Sequence, residues 1–228
     1  MNPQQDPSSP EWACHASGGG DTVIVLGIGN VLWADEGFGV RCVETLQERW
    51  DWPASLQLID GGTQGLYLIQ FVQAATHLLI FDAVDYGLAA GEIKVVDDDE
   101  VPAFMGAKKM SLHQTGFQEV LMLAKLTERF PGKVRLIGCQ PEQIDDYGGS
   151  LSEVVRAAMA PALQLGVDTL RDWGVTGSPR QTPLSAQERV TVDTLALAAY
   201  EAGRPSAEAA CRVGDDRFMP PVAREEGR

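Results

Sequence analysis

Acidic side chains and one histidine follow predicted strands at the positions where α/β proteins carry out chemistry. Asp35 and Glu36 come after the strand "TVIVLG" and a glycine turn, and Asp60 and Asp82 end the next two strands, "SLQLID" and "THLLIFD". His113 lies in a polar stretch, "SLHQTG", that we interpret as a loop ahead of a helix. Glu36, Asp82 and a histidine could make a three-ligand metal site with positions left open for a substrate.

The glycine turn in front of the acids invites a competing interpretation, a phosphate-binding loop. A dinucleotide fingerprint needs Gly-x-Gly-x-x-Gly opening directly into a helix, so that backbone N–H groups face the pyrophosphate. Gly27 and Gly29 fit the first two positions, but Leu32 occupies the third. Asp35 and Glu36 would repel a pyrophosphate. The next acidic strand end comes 31 residues after Gly29 (60 − 29), rather than about 20. We therefore expect no nucleotide cofactor.

Several candidates also have purely structural explanations. Asp35 could cap the helix that follows it, which we prefer to a ligand role, and Asp60 could stabilise its own turn. An aspartic-protease dyad of Asp60 and Asp82 is conceivable, but the sequence typical of that class is missing around them. His15 falls in a low-complexity lead, and His77 stands at a strand entrance, where we expect a packed or surface residue. No Gly-x-Ser-x-Gly nucleophile elbow is present.

The elements that must position these residues alternate between apolar strands and helical patterns from Thr22 to Gly174. This alternation predicts a single three-layer α/β domain, with a mainly parallel twisted sheet of about five strands and helices on both faces. The ligand site of such a sheet lies beyond the carboxyl ends of its strands. The last predicted helix, "LSEVVRAAMAPALQLGVDTLRDWG", contains Pro161, which we expect to kink or interrupt it.

Composition divides the chain into three parts. Residues 1–20 are rich in Pro, Gln, Ser and Gly, and we interpret them as a disordered lead. Residues 21–176 form the α/β domain. Residues 177–228 form a linker and a partly helical C-terminal extension, in which Ser185 and Glu188 make a capping box. We expect the domain to fold without the extension, although the capped segment could instead pack on the core.

The charge and composition of the chain disfavour several classes of partner. The chain carries 18 basic and 32 acidic residues, a formal net charge of -14, which disfavours nucleic acid and anionic membranes. No apolar run approaches the roughly 20 residues of a membrane helix, and the first residues lack the pattern of a secretory signal. The four cysteines contain no C-x-x-C pair and suit reduced thiols in the cytoplasm: Cys14, Cys42, Cys139 and Cys211.

Four motifs, in order and with compatible spacing, carry a resemblance to a known family. They are "GNVLWADEGFGV" at 29–40, "DGGT" at 60–63, "FDAVD" at 81–85 and "SLHQTG" at 111–116. Together they resemble the hydrogenase maturation endopeptidases, which trim the large subunit of nickel–iron hydrogenases. The first motif is the most specific, and its glutamate after the aspartate matches the branch of membrane-bound hydrogenases. The resemblance covers roughly residues 22 to 174.

The resemblance implies a function and a set of site residues. It implies that Glu36, Asp82 and His113 contact metal, and that Asp60 matches a family aspartate whose role is less clear. The nickel would arrive with the substrate, and the chain would be an endopeptidase that removes the C-terminal extension of the nickel-loaded large-subunit precursor. We expect a monomer without membrane insertion. The alternative is a non-enzymatic chaperone that recognises the same nickel-loaded precursor.

Overall fold

The computed structural model describes residues 20–107 and 112–204, and for residues 104–107 and 112–115 it describes the backbone alone. The strands are β1 (Val23–Ile28), β2 (Trp50–Asp51), β3 (Leu56–Gly62), β4 (His77–Ala83), β5 (Ile93–Asp97), β6 (Lys133–Cys139) and β7 (Ser178–Pro179). Five of them form one sheet in the order β3-β1-β4-β6-β5. Only β5 runs antiparallel to its neighbour in this sheet, so the predicted mainly parallel five-stranded sheet is confirmed.

Helices cover both faces of the sheet, as predicted. They are α1 (Phe38–Arg49), α2 (Ile69–Ala74), α3 (Glu100–Ala107), α4 (Leu112–Leu126), α5 (Glu153–Asp172) and α6 (Leu197–Gly203). Helices α1 and α5 pack on one face, called here the α1 face, and α2, α3 and α4 pack on the other, the α4 face. Every residue of β1 is buried, because a central parallel strand is covered on both sides.

Successive side chains of a strand point to opposite faces, and β4 shows which residue faces which layer. Leu79 and Phe81 pack into the core beneath the α1 face. Leu78 and Ile80 pack into the core beneath the α4 face. This alternation decides the direction of the acidic residue at the end of the strand.

Helix α5 continues through Pro161 from Glu153 to Asp172, so an interruption at this proline was the wrong prediction. Pro161 lies on the exposed side of the helix, whereas Ala158 and Ala162 on either side of it are buried against the core. Packing of both halves of the helix therefore outweighs the missing hydrogen bond. Across the part of the chain that the structure describes, no helix combines the length and the apolar character of a membrane span.

The described part of the C-terminal extension lies against helix α1. Strand β7 pairs with β2, within the stretch interpreted as a linker. The carbonyl of Leu195 accepts a hydrogen bond from Arg41, and the Leu197 N–H donates to Glu44 at 2.9 Å. The capping box at Ser185 is formed, but it opens a single 3-10 turn. The extension packs on the core in this region, the second arrangement considered from the sequence. Whether the domain folds without it stays a prediction.

Candidate functional site

Gly29 turns the chain sharply after β1 and thereby sets the direction of the segment that carries Asp35 and Glu36. Its φ is +129°, and a Cβ atom there would overlap the carbonyl oxygen of Glu36; glycine is therefore needed at this position. Asn30 closes the next turn, since its side chain accepts from the Leu32 N–H at 3.0 Å and its carbonyl accepts from the Trp33 N–H at 3.1 Å. The chain then enters a 3-10 turn, Ala34–Gly37, that carries both acids.

Asp35 is fully buried and cross-links three segments. Its carboxylate accepts from the N–H groups of Glu142, Gln143 and Ser152 at 2.9, 2.8 and 2.7 Å, and from the Ser152 hydroxyl at 3.0 Å. Neither the 3-10 turn nor α1 has a side-chain cap, so the interpretation of Asp35 as a helix cap was wrong. It holds the loop after β6 and the start of α5 against the glycine turn.

Glu36 is half-buried and lies at the carboxyl ends of β1 and β4. The turn that contains it contacts β4, and helix α1, which begins two residues later, approaches the sheet closely. A Cβ atom on Gly39 would overlap the carbonyl oxygens of Ile28 and Phe81. The close contact of α1 with both strand ends therefore fixes where the Glu36 backbone lies.

Asp82 is fully buried and is the penultimate residue of β4. The alternation set by Leu78 and Ile80 directs its side chain to the α4 face. Its partner across the sheet is Gly138 of β6. A buried carboxylate is costly unless hydrogen bonds or a cation compensate its charge.

His113 is the second residue of helix α4, so the prediction of a loop at this position was wrong. One turn further on, Gly116 lies against the turn after β3, with its Cβ position 3.5 Å from the Cα atom of Gly65. Phe117 next to it is buried beneath the α4 face. The backbone of His113 therefore lies at the edge of the sheet that carries Asp82, on the same face. Among the described side chains, which do not include that of His113, no group of three forms a metal site.

Asp60 points away from this group. Gly27 of β1 aligns with Asp60 on one side and with Phe81 on the other, so Asp60 shares the α1 face with Phe81. Asp82 lies on β4, which is separated from β3 by β1, and its side chain faces α4. The aspartic-protease dyad of Asp60 and Asp82 is therefore not formed. Burial raises the pKa of Asp60, while the Gly62 N–H and Arg41 lower it.

The loop after β4 contains residues that the sequence analysis did not single out. Asp85 accepts from the Gly87 N–H at 2.8 Å and from the Gln140 side chain at 3.0 Å. Gln140 in turn accepts from the Tyr86 N–H at 2.8 Å. The loop is thus anchored to the end of β6, and Tyr86 is held beside Asp82. No local pattern in the sequence indicates this, because Gln140 lies 54 residues from Tyr86.

The described cysteines and His77 do not contribute a nucleophile. Cys42 and Cys139 are buried. Burial raises the pKa of Cys42 well above its ordinary value, and burial together with Asp35 raises the pKa of Cys139 to about 12. Both thiols therefore stay protonated and weakly nucleophilic. His77 is the first residue of β4, far from the carboxyl ends of the strands, and its ring lies tilted against that of Trp173 with the ring centres 5.2 Å apart. Cys14, Cys211 and His15 lie outside the described residues.

Comparison with known proteins identifies the family. The family model HycI, hydrogenase maturation protease, matches residues 40–169. The chain belongs to the hydrogenase maturation protease family. It is 62% identical over 198 residues to the hydrogenase expression/formation protein HoxM of Cupriavidus necator, covering 87% of this chain and 98% of that protein. It is 39% identical over 160 residues to the hydrogenase 2 maturation protease of Escherichia coli, covering 70% and 96%.

Solved structures agree with this membership. The hydrogenase maturating endopeptidase HybD of Escherichia coli matches with a TM-score of 0.67 and 38% identity, over 70% of this chain and 98% of that one. A [NiFe] hydrogenase maturation protease HybD of Thermococcus kodakarensis matches with a TM-score of 0.54 and 25% identity, over 65% and 98%. This hydrogenase maturation protease therefore has the fold of its family and is an endopeptidase.

The lengths of the matches separate the shared core from the extension. The E. coli protease is covered almost completely by 160 residues of this chain, about the size of the α/β domain. The HoxM match spans 198 residues, which cannot fit within residues 1–176. At least part of the C-terminal extension is therefore shared with HoxM.

Proposed function

We propose that this protease removes the C-terminal extension of the nickel-loaded precursor of a nickel–iron hydrogenase large subunit. Membership of the hydrogenase maturation proteases supports hydrolysis of a peptide bond and sets aside a purely non-enzymatic chaperone. The observation that carries the proposal is the placement of Glu36, Asp82 and the first turn of α4 at one edge of the sheet. The cytoplasm, where thiols stay reduced, is the proposed compartment, and the monomer is the proposed state.

In this proposal nickel belongs to the substrate. Glu36, Asp82 and His113 are carboxylate and imidazole groups, both acceptable to Ni(II), and they would complete the coordination shell of a nickel ion that the precursor already holds. The protein alone then offers an incomplete set of ligands. Productive docking would depend on nickel, so the protease would act on loaded precursor and spare the empty one.

The residues of this chain would contribute positioning. Binding through Glu36 and Asp82 would fix the scissile peptide at the edge of the sheet and convert a collision into an oriented reaction. The substrate's metal supplies polarisation of the carbonyl group or activation of a water. The rigid frame of Gly29, Asp35 and Gly39 keeps Glu36 in place, because each of them ties its turn to a strand end or a neighbouring loop.

The test is a gel-shift assay that separates precursor from mature large subunit, with purified components. Glu36→Gln, Asp82→Asn and His113→Gln should each reduce processing at least a hundredfold while melting within a few degrees of the wild type, because each change removes a ligand but little volume. Glu119→Gln, on the exposed side of α4, is the matched control and should process normally. Wild-type rates in any of the three variants would remove that residue from the site. Wild-type protein that leaves loaded precursor uncut would refute the proposed function.

A further inference from the structure

Two neighbouring apolar side chains, Leu66 and Tyr67, lie exposed in the 3-10 turn Gly65–Leu68, which follows β3. Tyr67 is 80% exposed and Leu66 is 60% exposed. A single exposed apolar residue is ordinary on a protein surface, and Leu126 at the end of α4 is an example, with 81%. Leu66 and Tyr67, called here the apolar pair, differ from Leu126 in their rigid support and in their place beside the candidate site.

The turn that carries the apolar pair is held at both ends. The Gln64 N–H donates to the carbonyl of Gly61 at 3.1 Å, and the Gln64 side chain donates to the carbonyl of Asp60 at 3.1 Å. Leu68, which closes the turn, is buried beneath the α4 face. Gly65 opens the turn with a φ of +52°, a conformation that favours glycine. Because this backbone is already fixed, a partner that covers the pair would cost the chain little conformational entropy.

The same turn is joined to both sides of the candidate site. The carbonyl of Gly62, at the end of β3, accepts from the N–H of Gly29 at 3.0 Å, where the segment with both acids begins. On the other side, Gly65 lies against Gly116 of α4. His113 precedes Gly116 by three residues, about 4.5 Å along the helix axis. An extended peptide covers about 3.3 Å per residue, so a few residues of substrate would connect the apolar pair with the edge that carries the candidate ligands.

We propose that Leu66 and Tyr67 form a docking surface for apolar side chains of the precursor segment next to the scissile bond. An endopeptidase must hold the chain beside the bond that it cuts, and this surface is continuous with the edge of the sheet where the cut is proposed. Aromatic residues are enriched at protein interfaces and often contribute much of the binding energy. The inference rests on the proposed function for the identity of the partner.

The docking surface would act separately from the nickel checkpoint. An apolar contact does not depend on a metal, so it would strengthen the binding of nickel-loaded and nickel-free precursor by the same factor. It would also act equally in the bound substrate and in the transition state, and such uniform binding lowers KM without changing kcat. Glu36, Asp82 and His113 would report whether nickel is present, while the apolar pair would align the segment.

The binding test is the calorimetric affinity for nickel-free precursor, which needs no cleavage. The double variant Leu66→Ser/Tyr67→Ser should bind at least about tenfold more weakly than the wild type. Leu126→Ser is the matched control and should bind normally, because Leu126 follows His113 by 13 residues on α4, about 20 Å along the axis. Both variants should melt with the wild type, since they change exposed side chains. Equal affinities of the double variant and the wild type would overturn the inference, whether or not loaded precursor is cut.

Kinetics and cross-linking test the position of the segment. With nickel-loaded precursor, the double variant should raise KM at least about tenfold and leave kcat nearly unchanged. A fall in kcat without a rise in KM would overturn the docking role. A photoreactive benzoylphenylalanine in place of Tyr67 should cross-link nickel-free precursor within about five residues of the scissile bond, as mapped by mass spectrometry. Cross-links confined to other parts of the precursor would overturn the assignment of the segment.

Discussion

Replacing Asp35 by asparagine changes little in shape but breaks the cross-link that holds the acidic turn. The carboxylate accepts four hydrogen bonds, three from backbone N–H groups and one from a hydroxyl. Asparagine offers one carbonyl oxygen and one NH2 group, and the NH2 group is a donor only. If the carbonyl keeps the bonds to Glu142, Gln143 and the Ser152 hydroxyl, the NH2 group must face the Ser152 N–H, which loses its acceptor.

The free-energy change follows from these bonds. A hydrogen bond to a charged group contributes about 1.5–3 kcal/mol and a neutral one about 0.5–1.5, while a buried donor without an acceptor costs about 1–3 kcal/mol. Three weakened bonds and one lost bond thus cost roughly 4–6 kcal/mol, and relief from burying the charge offsets part of this. We expect a net destabilisation of about 3–5 kcal/mol, or a melting temperature lower by roughly 6–20 °C.

The assay is thermal unfolding by circular dichroism, combined with precursor processing well below both melting temperatures. Asp35→Asn should melt early yet still process precursor when folded, because the neighbouring Glu36 is the proposed ligand. Asp168→Asn makes the same chemical change on the surface of α5, where the side chain contacts Gln164 and Arg171, and should leave the melting temperature nearly unchanged. Wild-type stability of Asp35→Asn together with lost processing would refute the cross-link and return Asp35 to the site.

Three further predictions concern the ligand, the extension and pH. The protease should bind nickel-loaded precursor at least tenfold more tightly than empty precursor, about 1.4 kcal/mol, with the difference lost in Glu36→Gln; equal affinities by calorimetry would contradict the nickel checkpoint. The chain ending at residue 176 should still unfold in one transition, but at a lower temperature, because Arg41 and Glu44 lose their partners at 195 and 197; an insoluble or broadly melting product would contradict the boundary. Burial raises the pKa of Asp60 above its ordinary 3.8, so the folded state binds this proton more tightly and the contribution of Asp60 to stability falls as pH rises from about 4. Asp60→Asn should flatten this fall in melting curves against pH, and an unchanged slope would contradict the shift.

The sheet could be predicted because its determinants are local. Each central strand is a short apolar run, and a strand covered on both faces needs no polar alternation. The importance of the glycine motif could also be predicted, since Gly29 and Gly39 lie where neighbouring backbone leaves no room for a side chain. The start of α4 was missed for a local reason. "SLHQTG" contains Ser, Thr and Gly, which favour loops. In the folded protein α4 packs against the turn after β3, a tertiary contact that the local sequence does not reveal.

The roles of the acids needed contacts that sequence does not contain. The partners of Asp35 lie 107 to 117 residues away, so a cap within its own turn was the nearest local explanation. Asp60 and Asp82 both end strands that read alike, and only the register shows their opposite directions. Leu26 aligns with Ile59 and with Ile80. Ile59 and Ile80 therefore point to the same face. Asp60 follows Ile59 by one residue and Asp82 follows Ile80 by two, so the two aspartates point to opposite faces.

The different positions of Asp35 and Glu36 explain why two acids follow the glycine turn. In a dinucleotide-binding loop, backbone N–H groups at the strand ends are left for an incoming phosphate. Here the N–H groups of Glu142, Gln143 and Ser152 converge on the protein's own anion, Asp35. An internal carboxylate thus occupies the donors that could have held a ligand, and it does so while fixing the turn. The next residue, Glu36, is then presented at the edge of the sheet on a rigid frame, as a group that meets a cation must be.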